Sequence, residues 1–269
     1  MASTVRSSAT GAERWDCHVH VFGPVARFPY AGRRRYTPRD ALPEDLRSLM
    51  QRLGMQRGVI VQASVYGDDH RCMFAALESM GGAAVGVAAL VDELDKSLLR
   101  GKNIRGLRLN LRGLDLEEAK RRIAAGARAA ADNGWHVEIH LHGAWLATLA
   151  LEKLPVDFVL DHMGRLDDGN EDSFKPLAEL LDTGRCWVKL SGADRIGAHA
   201  PRVARALLAA RPDRLVWGSD WPHVPLEGGP DAPREVDTPG LLAALRGWTE
   251  GGEALEQVLA VNPARLYTI

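Results

Sequence analysis

Short apolar runs alternate along the chain with longer segments whose apolar residues recur every three or four positions, the period of an amphipathic helix. Eight of the runs read as strands, at 15–22, 57–64, 84–91, 104–110, 135–142, 156–162, 186–192 and 214–220. Helical spacing fills most of the intervals, at 42–54, 68–80, 116–134, 143–154, 174–184 and 200–211. Eight strands alternating with helical segments in one chain predict an α/β fold of the (β/α)8 barrel type, which typically needs about 250 residues. A doubly wound open sheet is the alternative, but no G-x-G-x-x-G turn follows the first strand, so its usual nucleotide site is missing. No linker composition divides residues 15–269, which are expected to form a single barrel domain behind a disordered tail at 1–14. The stretch 22–45 is too long and too turn-rich for a plain connection, and long ordered loops are often functional.

Side chains alternate along a strand, so each run sorts into two faces. In the first, "WDCHVHVF", Trp15, Cys17, Val19 and Val21 share one face and Asp16, His18 and His20 the other. The fifth sets Val137, Ile139 and Leu141 against Glu138, His140 and His142; the fourth sets Leu107 and Leu109 against Arg108 and Asn110. The apolar sets are expected to face the helices and the polar sets the barrel interior. Chemistry in such barrels gathers at the C-terminal ends of the strands. His18, His20, His140, His142, His162, Ser191 and Asp220 all fall there. A lone inward histidine is most often a satisfied core residue, and Asp220 in "GSDWPH" reads equally as a helix cap. Convergence of several imidazoles with a carboxylate is harder to dismiss, because burying them without a task costs desolvation energy. His70, His136 and His199 read as loop or surface residues.

Composition narrows the field of partners. Lysine plus arginine number 34 against 35 acidic residues, a net charge of −1, which gives no global reason to expect nucleic acid or an anionic membrane. The longest apolar run, 81–91, is far shorter than the roughly 20 residues that span a bilayer. Three scattered cysteines, Cys17, Cys72 and Cys186, fit neither a disulfide framework nor a structural zinc site, and a cytoplasmic location is expected.

The ordered motifs "DCHVH", "LDHMGR" and "GSDWPH" resemble the amidohydrolase superfamily. With "HVFGP…FPYAGRRRYTP" and "VKLSGADR" they resemble in particular its lactone hydrolases, the branch typified by 2-pyrone-4,6-dicarboxylate lactonases. The resemblance runs from about Trp15 to "NPARLY". It implies that His18, His20 and His162 polarise a lactone carbonyl and that Asp220 is the general base. It also implies that Arg108, Arg112, Arg165 and Arg195 grip substrate carboxylates, with Tyr36 and Ser64 as further contacts. The chemistry is coherent, since imidazole donors stabilise a developing oxyanion and the guanidinium fork matches a carboxylate.

Two departures matter. The fourth strand offers Arg108 and Asn110 where metal-dependent superfamily members carry a bridging lysine or glutamate, which argues against a binuclear centre. His140 stands where the pyrone lactonases are expected to have an aromatic hydroxyl. It is either a substrate contact or, with His18, His20, His162 and Asp220, a ligand to one zinc or manganese ion. The expectation is a metal-free hydrolase acting on a small anionic lactone. A metal-dependent decarboxylase or hydratase acting on a related dicarboxylate is the alternative, and a non-catalytic ligand-binding barrel a remote one.

Overall fold

In the computed structural model, eight parallel strands stand side by side in sequence order: β1 Trp15–Val19, β2 Arg57–Val61, β3 Ala84–Ala89, β4 Ile104–Asn110, β5 His136–His140, β6 Phe158–Leu160, β7 Cys186–Leu190 and β8 Leu215–Trp217. The structure describes residues 12–32, 34–90, 101–166, 171–225 and 234–267. The ring closes just beyond β8, where Asp220 N–H donates to the His18 carbonyl and His20 N–H to that of Trp221, both at 2.8 Å. Helices α1 Pro43–Leu53, α2 Arg71–Met80, α3 Leu116–Ala131, α4 Glu171–Asp182, α5 Ala200–Ala210 and α6 Thr238–Trp248 are interleaved with the strands, giving a single-domain (β/α)8 barrel. No described helix is long and apolar enough to cross a membrane.

Local chemistry sets the helix ends. Proline opens α1, and the Asp45 carboxylate accepts from Leu42 N–H at 2.9 Å. Gly54, at φ 71°, ends it in the left-handed conformation glycine tolerates best. Its buried residues, Leu46, Leu49, Met50 and Leu53, repeat at the spacing the sequence shows. Asp115 caps α3 by accepting from Glu118 N–H at 2.8 Å.

Two expectations are corrected. The helix expected at 143–154 is instead a pair of short 3-10 turns, Gly143–Trp145 and Leu151–Lys153, separated by Ala150 at φ 48°. Leu146, Leu149, Leu151 and Leu154 are all buried, and no single helical face could present that spacing to the core. In β1, Trp15 and Cys17 do not face the helices. The pairing of β1 with β2 slips between Asp16 and Val19, so the alternation changes phase there. Val19 and Val21 join the strand–helix core, whereas Trp15 and Cys17 pack with Val59, Val61, Val85, Val87, Val159, Trp187 and Val216. This second cluster takes its members from strands and from Leu266 and Tyr267 near the C-terminus. Tyr267 stacks on Trp15 with ring centroids 6.0 Å apart, and the cluster forms an apolar floor to the barrel interior.

Arg14, read from the sequence as tail, is tied to the barrel, its carbonyl accepting from Gln56 and Arg57 N–H. Residues 1–11 lie outside the described segments. All three cysteines are buried and free.

Candidate active site

Above the apolar floor the barrel interior turns polar, and most of the strand-end residues singled out in the sequence meet there. His18 and His20 rise from the end of β1, His140 from β5, and His162 from the turn after β6. The rings of His18 and His20 lie 5.0 Å apart, His18 and His162 4.9 Å, and His140 and His162 5.0 Å. Asp220 arrives from the turn after β8, with Oδ1 3.7 Å from Nε2 of both His18 and His20. It does not cap a helix through its carboxylate; its Oδ2 accepts from Arg195 Nε at 2.6 Å.

Backbone conformation helps to aim these groups. His162, Met163, Arg165, Asp220 and His223 all have φ between 52° and 66°, a region non-glycine residues avoid unless the surroundings impose it. Gly218 makes room for strand one, since a Cβ there would lie 2.5 Å from that of His18.

The remaining residues form two groups. Arg108 donates from Nε to Asp161 Oδ2 at 3.0 Å, with Nη2 3.5 Å from His140 Nδ1. Tyr36, from the long loop after β1, shares a hydrogen bond with the Ser64 hydroxyl and is within electrostatic reach of Arg108, Arg195 and Asp220. Arg165 acts electrostatically on His140. Arg112 lies further out, 2.6 Å from His142 Nδ1, and His142 packs against Trp145.

Between the floor and the imidazoles lies a charged layer, of which sequence reasoning placed Glu138 inward but missed Asp161 and Lys189. Asp161, Lys189 and Glu138 are fully buried. The only signal was their alternation with, or adjacency to, His140, His162 and Ser191. Of the histidines expected in loops or at the surface, His70 lies in a loop but is buried, and His136 is buried within β5. His70 Nε2 lies 3.1 Å from the Ala89 carbonyl, and His136 opens β5 against Glu138 at 3.4 Å. The Ala89 partner of His70 is distant in the chain, whereas His136 shares the strand face of Glu138 and His140.

Electrostatics sort the groups into charged and neutral. Burial would raise the Asp220 carboxyl, but Arg195 and the histidines around it hold it well below the usual carboxylate range. Burial lowers His162 and His140 far below their ordinary value, aided for His140 by His162 and Arg108. Burial and then Lys189 bring His18 down to about 4. Asp16, whose Oδ1 accepts from Ser219 N–H at 2.8 Å, is raised by burial to about 6. His18, His140 and His162 are therefore neutral imidazoles beside the ionised Asp220 carboxylate.

A stability effect follows from His18. Its folded value of about 4 lies below the 6.5 of the free side chain, so between these values the unfolded chain binds the extra proton. The contribution is intact above pH 6.5 and is lost as pH falls toward 4, in all about 3 kcal/mol. Thermal unfolding should show a fall in Tm over that window that is shallower in His18→Asn. An equal slope in the two proteins would contradict the assignment.

Geometry also fits a single divalent ion. His18 Nε2, His20 Nε2 and Asp220 Oδ1 belong to a set of donor atoms all within 4.8 Å of one another, and His18, Asp161 and His162 form a second set. His18 Nε2, His140 Nε2 and Asp220 Oδ1 are buried without a hydrogen-bond partner.

Residues 15–269, which carry a histidine pair at the end of β1 and an aspartate after β8, match the Amidohydrolase family model. The chain belongs to that family and is a hydrolase acting on ester bonds. It is 34% identical over 284 residues to a 4-sulfomuconolactone hydrolase from Rhizobium radiobacter, covering 95% of this chain and 90% of that protein. It is 34% identical over 278 residues to a 2-pyrone-4,6-dicarboxylate hydrolase from Comamonas testosteroni, covering 94% and 89%. A solved structure of a probable 2-pyrone-4,6-dicarboxylic acid hydrolase from Acinetobacter baumannii with citric acid bound shares the fold. Its TM-score is 0.78 at 24% identity, over 96% of this chain and all of that one.

Proposed function

We propose that this chain hydrolyses a small carboxylated lactone of the 2-pyrone-4,6-dicarboxylate type. The observation that carries the reading is the two-sided environment of Asp220. One oxygen is fixed by Arg195, and the other lies unpartnered and buried beside Nε2 of two imidazoles. A carboxylate held this way is ionised, aimed and shielded, which suits a general base.

In the reaction, water attacks the lactone carbonyl carbon as its proton passes to Asp220. The carbonyl oxygen takes up the charge against the imidazole cluster of His18, His20 and His162, where preorganised donors in a water-poor site stabilise an oxyanion. Collapse breaks the ring C–O bond, and the departing oxygen receives the proton from Asp220. The product gains one carboxylate, and Asp220 is again ionised. Arg108 and Arg195 engage their carboxylate partners through Nε, and their terminal nitrogens are assigned to a substrate carboxylate, with Tyr36, Ser64, Arg165 and His140 around it. Arg112 contributes from the rim through His142.

The orphaned donor atoms favour one second reading. A zinc or manganese ion would be held by His18, His20 and Asp220, with His140 and His162 at hand, and would supply Lewis-acid polarisation of the carbonyl.

The test follows loss of ultraviolet absorbance of 2-pyrone-4,6-dicarboxylate, with 4-sulfomuconolactone in parallel, on protein assayed for bound metal and then treated with chelator. Turnover that persists in metal-free protein is the expected result. Turnover only after a divalent ion is restored would move the assignment to the mononuclear centre, and no turnover of either lactone by any form would sink it.

A further inference from the structure

The charged layer under the imidazoles has no part in the reaction scheme, yet it touches strand one directly. Lys189 Nζ lies 2.5 Å from Glu138 Oε2, 3.2 Å from His18 Nδ1 and 3.6 Å from Asp161 Oδ1. Glu138 is saturated on its other oxygen by the Tyr267 hydroxyl at 2.9 Å and by His136 Nε2 at 3.4 Å. The ammonium is thus anchored from below, and its remaining protons face His18 and Asp161. An ammonium group only donates, so the nitrogen it meets must accept. A neutral imidazole that accepts at Nδ1 carries its proton at Nε2. In His18, Nε2 is the buried, unpartnered atom that faces Asp220.

We propose that Lys189 is a positioning residue that fixes His18 as the Nε2–H tautomer, so that this imidazole offers the substrate carbonyl a hydrogen-bond donor rather than a lone pair. Asp161 Oδ1, 3.3 Å from the same Nδ1, would favour the opposite tautomer. That carboxylate is instead held through Oδ2 by Arg108, and its Oδ1 makes no hydrogen bond. His20 has the other arrangement. Its Nδ1 donates to the Val61 carbonyl at 2.8 Å.

The assignment also governs metal affinity. A metal-binding histidine needs the lone pair on the atom that faces the ion and a hydrogen bond from the opposite N–H to a carboxylate or carbonyl. Lys189 imposes the reverse on His18. Replacing it leaves Asp161 as the partner of Nδ1, moves the proton to that atom and turns the Nε2 lone pair toward the cavity. Loss of the lysine should therefore improve the site as a metal site.

The tautomer is read by long-range proton–nitrogen NMR correlation on the full chain labelled with 15N-histidine, His18 being assigned by the signals that disappear in His18→Asn. We expect Nε2–H in the wild type, Nδ1–H in Lys189→Met and the wild-type pattern retained in Lys189→Arg. Zinc titration of metal-free protein should show at least tenfold tighter binding to Lys189→Met than to the wild type. An Nδ1–H tautomer in the wild type overturns the proposal, as does a Lys189→Met protein with unchanged tautomer and zinc affinity. Should Lys189→Met fail to fold, the wild-type spectrum decides. The donor role at a carbonyl rests on the hydrolase reading, but neither readout depends on turnover, so failure to hydrolyse a lactone bears on that reading and leaves the tautomer assignment standing.

Discussion

Asp220→Asn should lower kcat/KM for the lactone by about a thousandfold, close to 4 kcal/mol of transition-state stabilisation. The amide matches the carboxylate in size and its oxygen can still accept from Arg195, whose Nε lies 2.6 Å from Oδ2. Fold and substrate affinity should therefore change little, while the proton acceptor for the attacking water is gone. The loss should appear in kcat, with KM within a few fold, because the carboxylate acts on water in the transition state more than on bound substrate. Steady-state kinetics with a fluorescence-based binding measurement separates the two. Activity within tenfold of the wild type would show that another group, with His20 the first candidate, takes the proton.

Gly218→Ala is expected to damage both stability and activity, for a purely steric reason. The new Cβ would stand 2.5 Å from His18 Cβ and 2.7 Å from its backbone nitrogen, and the backbone there cannot swing aside as a side chain would. Relief requires β1 and β8 to separate at the point where the barrel closes. The cost should be about 3 kcal/mol, the upper end of overpacking penalties, and Tm should fall by about 6 to 12 °C. Folded protein should also be nearly inactive, since the displaced residue, His18, is the imidazole proposed to polarise the carbonyl. Calorimetry and turnover at a temperature where the variant remains folded would test both parts; near wild-type values for each would mean that the strand junction yields more easily than its contacts indicate.

How far the sequence could be read depended on whether the signal was local. The strands announced themselves because two-residue alternation and apolar runs are properties of neighbours, and Ile104–Asn110 falls where the pattern puts it. Most other strands stop before the apolar run does. The last residues, including His162 and Asp220, turn into the βα loops with positive φ, and no composition rule reports that. The phase change in β1 arises from its pairing with β2, so Cys17 could not be placed from "DCHVH" alone. The imidazole cluster was legible because barrel chemistry gathers at strand ends. Lys189 and Asp161 were not, because each matters through distant partners on other strands, such as His18, which lies 171 positions from Lys189. The helix expected at 143–154 failed because burial of four leucines outweighed helical periodicity.

The apolar floor built from Trp15, Cys17, the paired valines and Tyr267 has a bearing on traffic through the molecule. Among the described residues it seals the lower end of the barrel, so the cleft is a blind alley with its opening at the strand ends. Entry and departure then share one doorway. On the proposed reaction, a ring-opened acid, keeping the carboxylates of its parent and adding another, must vacate the arginines before the next molecule can be seated, and as it accumulates it should compete with fresh lactone for the same seat.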